Sequence, residues 1–85
     1  MTEASNGADE GLRAVGRAVF VRRGQLGLTQ VQVAERARVD MKTFRRMESG
    51  EPVNAKTFVS IALALGLDAG ELQRIADGEP QRAAS

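Results

Sequence analysis

One short pattern occurs four times between Leu28 and Leu72 and predicts where four helices begin. In each copy an apolar residue precedes a residue that caps helices well, and a second apolar residue follows five positions after the first. This is the spacing of the hydrophobic staple, in which the cap side chain accepts a hydrogen bond from the free N–H groups of the first turn. The copies are Leu28-Thr29 with Val33, Val39-Asp40 with Phe44, Val53-Asn54 with Phe58, and Leu67-Asp68 with Leu72. Helices are therefore predicted to start near residues 30, 41, 55 and 69.

Two of the four starts also fit a capping box, Thr29 with Gln32 and Asp68 with Glu71. The helices that start near residues 41 and 55 are expected to stop at Gly50 and Gly66, which suit a left-handed C-cap. A further helix is predicted before these four, because an apolar stripe with helical spacing precedes them and Gly24 and Gly27 bracket its end. The stripe consists of Leu12, Val15, Val19 and Phe20, and Leu26 is expected to pack just beyond it.

The predicted helices cover residues 12–24, 30–37, 41–48, 55–65 and 69–76. The fold class is therefore all-α, a compact five-helix domain over residues 11–77. The fourth helix is the most apolar and is expected to form the centre of the core through Phe58, Ile61, Ala62 and Leu65. Residues 1–10 and 78–85 combine small, polar and acidic side chains without apolar periodicity, and both are predicted to be disordered tails.

Composition excludes several classes of protein. The 85 residues include no cysteine and no histidine, which argues against a disulfide framework, a metal site and most acid/base or covalent enzymes. We therefore expect no enzymatic activity and no cofactor. No apolar run approaches the roughly 18 residues of a membrane span, and the N-terminus is acidic where a signal peptide is basic. The chain is expected to be cytoplasmic and to have no membrane partner.

The charge is unevenly distributed along the chain. The net charge of the whole sequence is only +1, but residues 12–50 carry +6, whereas residues 1–11 carry −3 and residues 51–85 carry −2. A local basic excess of this kind is typical of a protein that binds a polyanion. Solvated helix faces produce milder versions of the same excess.

The basic region contains two short helices joined by about three residues. So short a connection forces a sharp crossing, and Ala34 supplies the small residue that the contact requires. The second helix has Phe44, Met47 and Glu48 on one face and a basic stripe, Lys42, Arg45, Arg46 and Ser49, on the other. A basic helix face is usually just a solvated surface. Here no acid is interleaved in the stripe, and the second helix of a tight pair is the element that enters a DNA major groove, so we interpret the stripe as a DNA contact.

The residues from about Val15 to Leu72, two-thirds of the chain, resemble the lambda-repressor-like family of helix-turn-helix proteins, the Cro/repressor class also called the XRE type. The resemblance is carried by the Leu-Gly-Leu-Thr-Gln run at 26–30 and the Ile-Ala-Leu-Ala-Leu-Gly-Leu run at 61–67. It is also carried by single residues between these runs: Ala34, Val39, Phe44, Met47, Glu48 and Gly50. It implies a compact five-helix DNA-binding domain.

The resemblance also implies site residues. Met41, Lys42 and Arg46 fall where the family reads base edges, and Arg45 lies at the margin of that group. Lys42 and Arg46 suit the guanine acceptors and Met41 suits a thymine methyl group. Gln30 is expected to hold a phosphate and to brace the recognition helix. The other expected phosphate contacts are Thr29, Thr43 and Lys56.

Two structural features follow from the same resemblance. Arg23 and Glu48 are expected to form a partly buried ion pair, which accounts for a carboxylate on the core face of the helix at residues 41–48. The family commonly has glycine in the turn where this chain has Arg38, so the turn is expected either to be strained or to adopt a different conformation. Asp40 is expected to be engaged as an N-cap.

The predicted function is sequence-specific binding of double-stranded DNA by a transcriptional regulator, a repressor or Cro-like switch, that acts as a homodimer. Leu72 and Ile75 are candidate interface residues, although the core is an equally good place for them. One alternative is an antitoxin or adaptor that uses the same fold to bind a protein. A second alternative is the detached DNA-binding part of a longer regulator.

Overall fold

Five helices follow one another in the order that the sequence predicts. The computed structural model describes residues 3–78, and the side chains of residues 10–78. The helices are α1 (Glu3–Leu26), α2 (Gln30–Ala37), α3 (Met41–Glu48), α4 (Ala55–Ala64) and α5 (Ala69–Ala76). No strand lies among residues 3–78, so the prediction of an all-α fold is confirmed. Within the same range, no helix is both long and apolar enough to span a membrane.

The four repeated patterns do start four helices. The cap side chains of Thr29, Asp40, Asn54 and Asp68 each accept a hydrogen bond from the backbone N–H three residues later, at 2.7–3.1 Å. The capping box at Thr29 is complete, because the Gln32 side chain also accepts a bond from the Thr29 N–H. At Asp68 only the cap bond is present. Gly50 and Gly66 have φ of 91° and 70°, the left-handed backbone expected after α3 and α4.

The first helix is longer than the sequence predicts. It begins at Glu3 rather than near residue 12, so residues 3–10, predicted to belong to a disordered tail, continue the helix. Extending a helix that has already formed needs no new nucleus. Alanine and glutamate in this segment favour the extension, although Gly7 and the short polar residues beside it oppose it. The predicted C-terminal tail, apart from Gly78, lies outside the described residues.

The core lies where α1 packs against α3 and α5, and where α2 packs against α3 and α4. Its largest fully buried side chains are Phe44, Met47, Ile61 and Leu65. The apolar residues that begin each staple are half-buried and pack against this cluster, as the pattern requires. The predicted buried face of α4 is therefore confirmed.

Two apolar predictions need correction. Phe20 is 58% exposed, because Val15 and Val19 face the core and Phe20 lies one residue, or about 100°, further round the helix. Leu26, expected to pack beyond α1, is also exposed. Leu72 is 3% exposed, so of the two places left open for it the core is the one observed, and Ile75 is half-buried and packs against the same core.

Candidate nucleic-acid interface

The turn between α2 and α3 contains a left-handed arginine. Arg38 has φ 62° and ψ 44°, so the chain adopts the backbone that glycine commonly supplies at this position in the family. The N–H groups of Arg38 and Val39 donate to the carbonyls of Glu35 and Ala34 and thereby close the end of α2. A non-glycine residue in this region costs about 1–2 kcal/mol. Of the two outcomes expected for this turn, strain rather than a different conformation is the one observed.

The α3 helix separates a buried face from a basic face. Phe44 and Met47 are buried in the core. Lys42, Arg45 and Arg46 are exposed on the opposite side. This arrangement gives a short helix whose inner face fixes its position and whose outer face can bind a polyanion.

Two of the predicted DNA contacts are less accessible than the sequence suggests. Met41, expected to meet a thymine methyl group, is half-buried and packs against the core. Thr43 is also half-buried, and its N–H donates to the Asp40 cap. Both residues lie in the first turn of α3, where a side chain can face the core and the surface at once.

Glu48 holds α3 against both α1 and α2. Its Oε2 accepts a bond from Arg23 Nε at 2.8 Å, and its Oε1 accepts one from Arg23 Nη2 at 3.2 Å. Gln30 Nε2 donates to the same Oε1 at 2.7 Å. The side chains of Arg23 and Glu48 are only 17% and 9% exposed, so the pair is largely desolvated. The ion pair expected from the resemblance is present, with Gln30 as an additional donor.

Gln30 therefore braces α3 through its amide nitrogen. Gln30 is also predicted to bind a phosphate, and the second N–H of its side-chain amide can donate to one. Thr29 has a similar division of roles, because its hydroxyl oxygen accepts from Gln32 while the hydroxyl proton stays available to an acceptor. Lys56 is exposed in the first turn of α4, behind the Asn54 cap. The helix dipole there adds to the attraction of the ammonium for phosphate.

Asp40 is exposed but engaged. The Thr43 N–H donates to Asp40 Oδ1 at 2.7 Å. This backbone hydrogen bond, followed by one from the Thr43 side chain and by the nearby Lys42 charge, lowers the pKa of Asp40. The carboxylate acts as the N-cap of α3, as expected, and the hydrogen bond from the Thr43 N–H stabilises its negative charge.

Sequence reasoning missed an acid beside the basic stripe. Arg46 Nε lies 3.4 Å from Glu51 Oε1, and both side chains are about half exposed. Ser49 Oγ donates to the other carboxylate oxygen of Glu51 at 3.3 Å. No acid is interleaved in the stripe within α3, as the sequence indicates, but Arg46 has an acidic partner just beyond the end of the helix. Glu51 follows the helix across Gly50, so spacing along α3 could not reveal it.

Comparison with known proteins gives one match. Residues 14–75 match a protein family described as a helix-turn-helix domain. No match was found among curated proteins or among solved structures. The matched segment spans α2, the strained turn and α3, together with the parts of α1, α4 and α5 that enclose them. The chain therefore belongs to the helix-turn-helix domain family, of the lambda-repressor-like kind.

Proposed function

We propose that the chain is a sequence-specific regulator of transcription, a repressor or Cro-like switch, that binds double-stranded DNA with α3 in the major groove. Family membership supports DNA binding as the general function. The observation that carries the finer proposal is the exposed row of Lys42, Arg45 and Arg46 on a helix anchored by Phe44 and Met47. A major groove admits a single helix, and base edges there carry a distinct pattern for each base pair.

In this proposal each contact has a role set by its chemistry. Arg46 and Lys42 donate to the O6 and N7 atoms of guanine, with Arg45 beside them, and Met41 meets a thymine methyl group through its exposed part. Thr29, Gln30, Thr43 and Lys56 bind phosphate oxygens and fix the orientation of α3. No step of this mechanism requires catalysis, and the family is typically non-enzymatic.

We also propose that the regulator acts as a homodimer. A single module contacts few base pairs, and a two-fold dimer would read two half-sites about 34 Å apart. Sedimentation equilibrium of the chain, alone and with a duplex carrying two half-sites, measures the stoichiometry. One chain per duplex under saturating conditions would contradict the homodimer.

The test of the function is a binding titration with a random duplex pool and with duplexes selected from that pool, at two salt concentrations. Specific regulation predicts a selected sequence that binds at least about 10³-fold more tightly than the random pool. Equal binding to all duplexes, or none, would contradict sequence-specific regulation.

The Arg46→Ala variant tests the base contacts. It is expected to weaken binding to the selected duplex by about 1–3 kcal/mol and to relax the preference at one base position, because a bidentate hydrogen bond to guanine is removed. The matched control is Arg36→Ala, which removes an exposed arginine from the last turn of α2 and leaves α3 unchanged. An equal loss on every sequence would instead reassign Arg46 to the phosphates.

A further inference from the structure

A basic groove lies between α1 and α3, and its α1 side consists of residues that the sequence does not assign to DNA. It has a volume of about 550 Å³ and is open to solvent. Arg13, Arg17 and Phe20 line it from α1, Arg45 and Ser49 line it from α3, and Gln30 joins them from the start of α2. Gly16 also lines it, at a point where α1 and α3 approach so closely that a Cβ would overlap the Glu48 carbonyl oxygen.

The groove carries an excess of positive charge. Three guanidinium groups line it, those of Arg13, Arg17 and Arg45, and none has an ion-pair partner among the side chains of residues 10–78. The one acid in the lining, Glu48, is already bound through both carboxylate oxygens to Arg23 and Gln30. Guanidinium groups bind phosphate oxygens in pairs and remain charged at any physiological pH.

The groove is continuous with the surface proposed to bind DNA. Gln30 and Arg45 belong to both, so a nucleic acid strand that reaches them lies at the entrance to the groove. A small anionic effector fits the geometry less well, because sites for small molecules bury most of the ligand and this groove is open. The exposed ring of Phe20, beneath the Arg23 guanidinium at 5.4 Å, gives the groove an apolar wall that suits a deoxyribose.

We propose that Arg13 and Arg17 bind the phosphate backbone of DNA beside the segment that α3 reads. The inference rests on the proposed function and extends it, since it adds a contact from the first helix to contacts that otherwise come from residues 29–56. The two arginines carry affinity and not sequence preference, because phosphates are the same at every position.

The test measures how binding of the selected duplex depends on salt, for the intact chain and for the double variant Arg13→Gln/Arg17→Gln. Glutamine removes the charge and keeps part of the aliphatic stem, which in Arg13 lies near Gly50. Removing one phosphate contact should reduce the slope of log K against log salt by about 0.9, so the double variant is expected to be shallower by nearly 2. Its preferred sequence should stay the same.

The matched control is Arg36→Gln/Arg74→Gln, which removes the same charge from exposed positions on α2 and α5 that do not line the groove. The control is expected to keep the slope of the intact chain. Equal slopes for the groove variant and the intact chain would overturn the inference while leaving the proposed function in place. Failure of the intact chain to bind any duplex would defeat both.

Two further results would also overturn the assignment. A changed base preference in the groove variant would make Arg13 or Arg17 a base contact. Saturable shifts of the Arg17 side-chain NMR signals with millimolar inorganic phosphate, without any slope change in DNA binding, would make the groove a site for free anions. Circular dichroism melting of both double variants checks that neither result arises from unfolding.

Discussion

Two arginine–glutamate pairs involve α3, and they differ in almost every physical respect. Arg23 and Glu48 meet at 2.8 Å with side chains 17% and 9% exposed, and Gln30 adds a third bond. Arg46 and Glu51 meet at 3.4 Å with both side chains about half exposed. The first pair joins α3 to α1 on the inner side of the helix, and the second lies on the outer side, within the proposed DNA surface.

The buried pair fixes the position of α3, whereas the exposed pair can exchange one partner for another. A buried pair that loses one partner leaves an uncompensated charge, so Arg23 and Glu48 hold α3 in a single orientation. An exposed pair contributes only about 0–1 kcal/mol, so in the proposed complex a DNA acceptor would replace Glu51 as the partner of Arg46 at little cost. An arginine–glutamate pair thus anchors α3 on its inner side, and a second such pair leaves Arg46 able to bind another acceptor on the outer side.

The largest expected effect comes from breaking the inner pair. Glu48→Ala is expected to lower the free energy of unfolding by about 2–4 kcal/mol, because it removes the acceptor of both Arg23 and Gln30 in a largely desolvated site. Urea denaturation measures the change. Glu48→Gln, which keeps the shape and one acceptor oxygen, should lose less. A variant Glu48→Ala as stable as the intact chain would show that the pair does not anchor α3.

A smaller effect is expected from the outer pair. Glu51→Ala should change the free energy of unfolding by less than about 0.5 kcal/mol. It should tighten DNA binding by up to about 1 kcal/mol, since it releases Arg46 and removes an acid from the surface. Parallel urea and DNA titrations measure both quantities. Weaker DNA binding by this variant would indicate that Glu51 orients Arg46 for its contact.

The smallest effect concerns Asp40, an exposed carboxylate held by a backbone N–H instead of a guanidinium. Its pKa is lowered, chiefly by the Thr43 N–H, so the folded state binds this proton less readily than the unfolded state. The stabilisation is therefore present above the ordinary aspartate pKa of about 3.9 and is lost as the pH falls through the lowered value.

Asp40→Asn provides the measurement. Asparagine caps a helix about as well as aspartate, so stability at neutral pH should be nearly unchanged. As the pH falls below about 4, the intact chain should lose stability more steeply than the variant, because only the intact chain has this carboxylate to protonate. Parallel curves for the two chains would mean that the cap contributes no pH dependence.

Much of the fold could be predicted because its signals are local. The starts of α2 to α5 depend on a cap and a staple that lie within five residues of each other, and these starts were correct to the residue. The beginning of α1 has no such pattern, and its extent was wrong. Phe20 was misplaced because apolar spacing alone does not distinguish two directions about 100° apart on a helix.

The site was predictable where α3 alone determines it. The two faces of the helix follow from its own sequence, and the Arg23–Glu48 pair followed from the family resemblance. The Arg46–Glu51 pair and the groove between α1 and α3 depend on how the chain turns after Gly50 and how closely two helices approach. Neither the turn nor the approach of the two helices can be read from the spacing of residues along one helix.

The close approach of α1 and α3 at Gly16 limits how this chain can change during evolution. Alanine is the best helix former and would normally stabilise a helix interior by about 1 kcal/mol relative to glycine. At position 16 its methyl group would collide with the Glu48 carbonyl, and at position 11 it would meet the carbonyl of Ala76 in the same way. Sequence drift at two residues without functional groups would therefore move the helix that carries Arg13 and Arg17 and change the shape of the proposed DNA surface.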